Sequence, residues 1–327
     1  MIHVIVNPAG AGGKTGRYWE KKIQPLLEGT EYQLHLSTEE GAAERICAEL
    51  SSFIPEGETV RILILGGDGT INAAVNGIRD FEHTQLGLIP CGSGNDLARD
   101  LHFPEDPAEL VRRILSGQTV RQVDVGECIW NDTGKSRFFV VSAGAGFDAA
   151  VCHYAQVSLL KRFLNRFGLG KLVYILEAIR LIFSYKPSVS DLIPGAVSEA
   201  DSAESGEKTG KQAGEKPVHY DRFIFAAGMN HRFEGGGFMM CPKAKDDDGE
   251  LDYCIVHDLS VLDFFRFFPS ATSGGHVRQK AKVAQLRRKS LRVRSDRPLW
   301  VHCDGETGEP SADVLFRISR NRLNLLV

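Results

Sequence analysis

Over the first 120 or so residues, short apolar runs alternate with amphipathic stretches, the pattern of repeated strand–helix units. Ile2–Val6, Tyr32–Leu36, Arg61–Leu65 and Gln85–Pro90 predict four strands. A glycine-rich turn at Ala9–Gly13 opens a helix running through Tyr18 to Leu27. Ala42–Phe53, Thr70–Ile78, Asp96–Leu101 and Glu105–Ser116 predict further helices, the last stopped by Gly117. After Val120 the pattern changes. Val120–Trp130, Ser136–Ser142, Tyr220–Ala227, Leu251–His257, Ser290–Arg294, Leu299–Cys303 and Val314–Ser319 are short, β-branched or aromatic, and separated by turn residues. That spacing predicts an antiparallel sandwich, interrupted by a helical stretch over Leu159–Tyr185. The fold class expected is an open parallel α/β domain over residues 1–122, followed by an antiparallel β-sandwich domain over 123–327. Residues 190–217 are rich in Ser, Gly, Glu, Ala and Lys, and predict a flexible insertion that buries too little apolar surface to offset its ordering entropy.

The 327 residues suffice for two domains, and 43% apolar with 25% charged residues is ordinary for a globular protein. A net charge of −3 argues against a nucleic-acid partner for the chain as a whole. The seven cysteines are dispersed, without zinc-like spacing, which suits reduced thiols and a cytoplasmic setting. The first apolar stretch is too short, and lacks the basic lead, for a signal peptide. No window reaches the roughly 20 apolar residues of a membrane-spanning helix, so any membrane contact is expected to be peripheral. Three segments have the composition for such contact: Lys161–Lys186 interleaves basic and apolar residues, Leu262–Pro269 reads LDFFRFFP, and His276–Arg297 is strongly basic with Asp296 its only acid.

The chemistry is concentrated where strands stop at glycines. Strand three runs into Gly66-Gly67-Asp68-Gly69-Thr70, and strand four into Cys91-Gly92-Ser93-Gly94-Asn95-Asp96. In an open parallel sheet, ligands bind beyond the carboxyl ends of the strands, which places Asp68 and Asp96 at one edge. Glycines let backbone N–H groups approach a phosphate, and carboxylates beside them hold its magnesium. Asn7-Pro8-Ala9-Gly10-Ala11-Gly12-Gly13-Lys14 ends strand one in the same manner, although Pro8 stands where a Walker A loop has its first glycine. Lys14 and Arg17 in the following helix are either phosphate partners or a solvated face. Val301-His302-Cys303-Asp304-Gly305-Glu306 reads on its own as a strand ending in a hairpin turn, with Glu306 as a general base the alternative. The acidic run Lys243–Glu250 is either a hard-cation loop or a solvated turn.

Taken together, IVNPAGAGGK (5–14), LGGDGTINAAVNGI (65–78), LGLIPCGSGNDLARDL (86–101), SAGAGFDAAV (142–151), AAGMNHRFEGGGFMMCPKAKDDDGELD (226–252) and VHCDGE (301–306) resemble the diacylglycerol kinase catalytic family, in its soluble bacterial lipid-kinase branch. The resemblance spans nearly the whole chain outside 190–217. It implies a nucleotide domain, a β-sandwich and a substrate cleft between them. By resemblance, Asn7, Pro8, Ala9, Gly10, Ala11, Thr38, Gly66, Gly67, Asp68, Gly69, Thr70, Ile71, Asn72 and Ser93 contact ATP. Asp68 and Asp96 hold the magnesium network, and Glu306 is the general base. Lys245, Asp248 and Glu250 match a structural magnesium loop. Arg17 matches a basic residue of the family's charged cluster, and Lys161 another. Lys14 is displaced from its counterpart by extra glycines.

The expected reaction is transfer of the γ-phosphoryl group of ATP to the hydroxyl of a lipid at the membrane surface, diacylglycerol or a related one. An NAD kinase-like enzyme and a non-catalytic lipid- or nucleotide-binding regulator are the alternatives. A homodimer is compatible with the resemblance.

Overall fold

The structure, a computed structural model, describes residues 1–92, 94–104, 106–158, 171–196 and 215–327. Met1–Val125 and Arg320–Val327 pack into one unit, Gly126–Ser158 and Val173–Ser319 into another.

In the first unit, β1 (Ile2–Val6), β2 (Tyr32–Leu36), β3 (Val60–Gly66) and β4 (Thr84–Pro90) form a parallel sheet in the order β2-β1-β3-β4. Ile62–Leu65 of β3 is continuously apolar because helices bury it on both faces. The connecting helices are α1 (Gly10–Tyr18), α2 (Ala42–Ser51), α3 (Asp68–Gly77), α4 (Asp96–Leu101) and α5 (Pro107–Ser116). Helix α5 shows how locally the ends are set. The Asp106 carboxylate accepts the Ala108 N–H, Pro107 occupies the first turn, and Gly117 leaves the helix at φ +61°.

The second unit is antiparallel. It continues β5 (Val120–Trp130) through β6 (Lys135–Phe139), β7 (Ser142–Gly146), β8 (Ser188–Pro194), β9 (Val218–Met229), the hairpin β10 (Phe233–Glu234)–β11 (Phe238–Met239), β12 (Leu251–His257), β13 (Val283–Arg288), β14 (Ser290–Leu299), β15 (Val301–Cys303), β16 (Glu306–Thr307) and β17 (Ser311–Leu326). Phe139, Tyr253, Leu291, Val301 and Phe316 fill one core of this unit. A second core lies against three helices, α6 (Phe147–Val157), α7 (Lys171–Ile182) and α8 (Val261–Ala271), and includes Phe147, Leu181, Phe225, Phe264 and Phe267. The run LDFFRFFP is therefore helical, and a capping box between Ser260 and Asp263 starts it.

Three sequence expectations change. Ser190–Pro194 is not part of an irregular insertion but strand, paired with β14 and β9. Its buried Ser188 and Ser190 bond to each other, so the inward face carries hydroxyls that masked the alternation. The insertion's described ends lie together, with the Glu215 N–H on the Pro194 carbonyl at 2.9 Å. Ser136–Ser142 divides into β6 and β7. Finally, residues 320–327 leave the sandwich. Asn324–Leu326 pair in parallel with β4, and the Asn324 amide donates to the carbonyls of Phe81 and Glu82.

Candidate active site

Because β1, β3 and β4 are parallel neighbours, the loops after them meet at one edge of the first sheet. The Asn7 N–H donates to the Leu65 carbonyl at 3.2 Å, and its side-chain amide reaches Thr70 Oγ1 at 3.3 Å. The Cys91 N–H donates to the Gly66 carbonyl at 2.8 Å. The two acidic loops touch backbone to backbone: a Cβ on Gly92 would stand 2.5 Å from Gly67 Cα, and one on Gly94 2.7 Å from Asp68 Oδ2. Glycine is required here by close approach, which a side chain would prise apart. The Asp96 N–H points at Asp68 Oδ2 at 3.4 Å, so the two predicted carboxylates share one place. Asn95 makes the turn between them at φ +53°, its side chain accepting the Gly92 N–H at 2.8 Å.

Asp68 opens α3, whose N-terminal amides favour an anion. Ala11, Gly12 and Gly13 are all left-handed in the first loop, which opens α1 and leaves Lys14 and Arg17 exposed. Thr38 lies exposed just past β2. Ile71 and Asn72, expected at ATP, are buried and support α3 from within. Ser93 and Lys161 lie outside the described residues. Amides gathered around two carboxylates, in a cradle that Cβ atoms would fill, fit a triphosphate carrying a hard, oxygen-seeking cation.

The second unit presents Glu306 on a hairpin. Asp304 and Gly305 both have positive φ, +51° and +82°, and join β15 to β16 as the two-residue turn that Asp-Gly favours. The Asp304 carboxylate accepts N–H groups from Val140, Val141 and Ser142 at 2.9, 2.8 and 3.0 Å, tying the turn to the start of β7. Glu306 follows, exposed, with its Oε2 3.2 Å from the Gln156 amide nitrogen.

Beneath the turn lies a group absent from the sequence reading. Fully buried His302 places Nε2 3.3 Å from Asp148 Oδ2 and 3.1 Å from Glu234 Oε1. The three ligand-type atoms cluster closely enough to hold a metal. The Gly305 N–H, 3.2 Å from Nδ1, requires a lone pair there. The ring therefore carries its proton on Nε2 and gives the carboxylates a hydrogen bond rather than a lone pair to a metal. Sequence spacing offered no signal for this group, since its members lie on α6, β10 and β15.

The acidic loop is partly neutralised from within the protein. Asp248 Oδ1 accepts the Glu250 N–H at 3.2 Å, and its Oδ2 pairs with Arg287 at 3.3 Å. Arg287 also grips Asp252 and donates to the Lys243 carbonyl. Lys245 is exposed on the same loop.

An apolar cavity of about 100 Å³ lies in the second unit, lined by Phe147, Val151, Tyr174, Phe225, Phe264 and Phe268, with Asp148 and Glu234 in its wall. Around it apolar side chains are also exposed, with Phe183, just past α7, 67% and Leu262 of α8 63% accessible. The Phe183 and Phe265 rings lie 6.2 Å apart, joining the exposed side chains beyond α7 to those of α8. No described helix is long and apolar enough to cross a membrane.

Comparison with known proteins agrees with this organisation. YtlR of Bacillus subtilis (strain 168), which carries a lipid-kinase name, is 26% identical over 306 residues, covering 92% of each chain. The diacylglycerol kinase of Staphylococcus carnosus (strain TM300) is 27% identical over 248 residues, 76% of this chain and 70% of that one. A Bacillus anthracis (str. Sterne) crystal structure with a diacylglycerol-kinase name superposes with a TM-score of 0.70 at 20% identity, over 99% of this chain and 96% of that one. Residues 140–327 match the YegS C-terminal NAD kinase beta sandwich-like domain. Residues 1–128, with all three glycine loops, match the diacylglycerol kinase catalytic domain, and the chain belongs to that family of phosphotransferases with an alcohol group as acceptor.

Proposed function

We propose that the protein is an ATP- and magnesium-dependent lipid kinase that transfers the γ-phosphoryl group to a hydroxyl of diacylglycerol or a related lipid. The observation that carries the reading is the meeting of the GGDGT and GSGND loops, glycine on glycine, with Asp68 and Asp96 side by side. In this reading the loop amides bind the triphosphate, and Asp68 and Asp96 hold the magnesium that offsets its charge. Glu306 takes the proton of the acceptor hydroxyl, a role for which an exposed carboxylate has the reach. Lys245, Asp248 and Glu250 form a second, structural magnesium loop, sharing Asp248 with Arg287.

The apolar cavity supports a lipid rather than a soluble acceptor. A tail seated among Phe147, Phe225, Phe264 and Phe268 leaves water for an apolar lining. The exposed rim of Leu176, Phe183, Leu262 and Phe265 is suited to a bilayer surface, from which such a lipid would be drawn.

The test is magnesium-dependent transfer of labelled phosphate from ATP to a panel of lipids in mixed micelles, with NAD in parallel and Asp68→Asn as the blank. Labelled lipid that disappears in the blank is the expected result. Label on NAD alone, or no label anywhere despite ATP binding, overturns the reading.

A further inference from the structure

The hydrogen bonds around the Asp304-Gly305 turn converge on one side chain outside the sequence motifs. Gln156 sits in the last turn of α6, two turns beyond Asp148. Its Nε2 donates to the Gly305 carbonyl at 2.7 Å and to Glu306 Oε2 at 3.2 Å. Its Oε1 accepts from the Thr307 hydroxyl at 2.7 Å. A peptide carbonyl only accepts, so the amide nitrogen must face Gly305, and the same nitrogen then has one N–H left for Glu306. Among the described residues, no other side chain is hydrogen-bonded to the Glu306 carboxylate.

The Gly305 residue is held from both sides through α6. Its N–H is taken by His302, which Asp148 orients, and its carbonyl by Gln156. Cys152, between Asp148 and Gln156 on the helix, is a spectator: burial pushes its thiol up to about 12, and it stays uncharged.

We infer that Gln156 is the positioning residue of the proposed base, fixing through its amide both the turn that carries Glu306 and the direction in which the Glu306 carboxylate points. The inference rests on Glu306 being that base. The carboxylate oxygen held by Gln156 is committed, which leaves the other to meet the acceptor hydroxyl. Thr307 has a supporting part in this, because its hydroxyl donates to the amide oxygen once the Gly305 carbonyl has fixed which way the amide faces.

The experiment measures kcat and the KM for ATP, in the lipid micelle assay, for Gln156→Leu, Gln156→Glu, Thr307→Val and Glu306→Gln. Thermal unfolding is followed for each. Gln156→Leu should lower kcat by about tenfold with the ATP KM unchanged, since a small misplacement of a reacting group is enough for such a loss. Gln156→Glu sets a second carboxylate against the first and should fall further, and Thr307→Val should lie between wild type and Gln156→Leu. Unchanged kcat in both Gln156 variants, while Glu306→Gln is inactive, would overturn the positioning role alone. A fall in kcat that tracks lost thermal stability and comes with a higher ATP KM overturns it as well by reducing Gln156 to a structural contact. Full activity in Glu306→Gln removes the base, and this inference with it.

Discussion

The glycine loops of the first unit and the Glu306 hairpin of the second are built in opposite ways. The loops are made of backbone. Gly67 lies against Gly92, Gly94 against the Asp68 carboxylate, and peptide groups tie one loop to the next. The hairpin is a two-residue turn held by distant side chains. Asp304 grips three amides at Val140–Ser142, and His302 and Gln156 hold the two sides of Gly305. A backbone-built site tolerates almost no added atom. A site suspended from side chains tolerates change in proportion to the bonds each one makes.

The comparison is broken most severely at Gly92. Gly92→Ala drives a methyl into Gly67 Cα, and transfer activity should fall at least about 100-fold together with ATP affinity, as titration with a fluorescent ATP analogue would register. Asp68→Asn should be as inactive yet keep its melting temperature. If it unfolds instead, Asp68 has a structural role and the contrast with Gly92 is lost. On the other side, Glu306→Gln should lower kcat by about 10²–10⁴-fold with the ATP KM within about twofold, and an unchanged kcat removes Glu306 as base.

Asp304→Ala should act through stability. It leaves three amides without a charged acceptor, and a loss of about 3 kcal/mol by denaturant unfolding is expected, with the first unit's ATP binding retained. A stable Asp304→Ala protein would mean that the turn holds itself.

The smallest effect is an acid one. Burial alone would raise the Asp313 carboxyl, but hydrogen bonds from Arg292 and Asn131 outweigh it and hold the group below its ordinary value of 3.8. A depressed carboxyl contributes stability above the unfolded value and loses it as pH falls through the folded one. The second unit should therefore weaken below pH 3.8, and Arg292→Leu should shrink that loss, because it draws the folded value back toward the unfolded one. Trp19 reports the first unit, and Trp130 and Trp300 the second, so single-tryptophan variants show which unit moves.

What the sequence by itself determined follows from local physics. Continuous apolar runs ending in glycine announced β3 and β4, because a buried parallel strand has no polar face and a strand-to-helix turn beside a ligand needs residues without Cβ. Asp68 and Asp96 were legible as a pair for the same reason, each lying within a few residues of its strand end. Asp304-Gly305 was legible as a turn, and that reading holds alongside Glu306, since the turn is what presents it. β8 was not legible, because Ser188 and Ser190 satisfy each other in the interior, where a strand's inward face is ordinarily apolar. Only the tertiary structure decided that Arg287 meets Asp248, that residues 320–327 close the first sheet, and that Asp148 and Gln156 hold a hairpin about 150 positions away. A polar side chain carries no mark of its partner in its own neighbourhood. Its role arises from the donor or acceptor that folding brings opposite it.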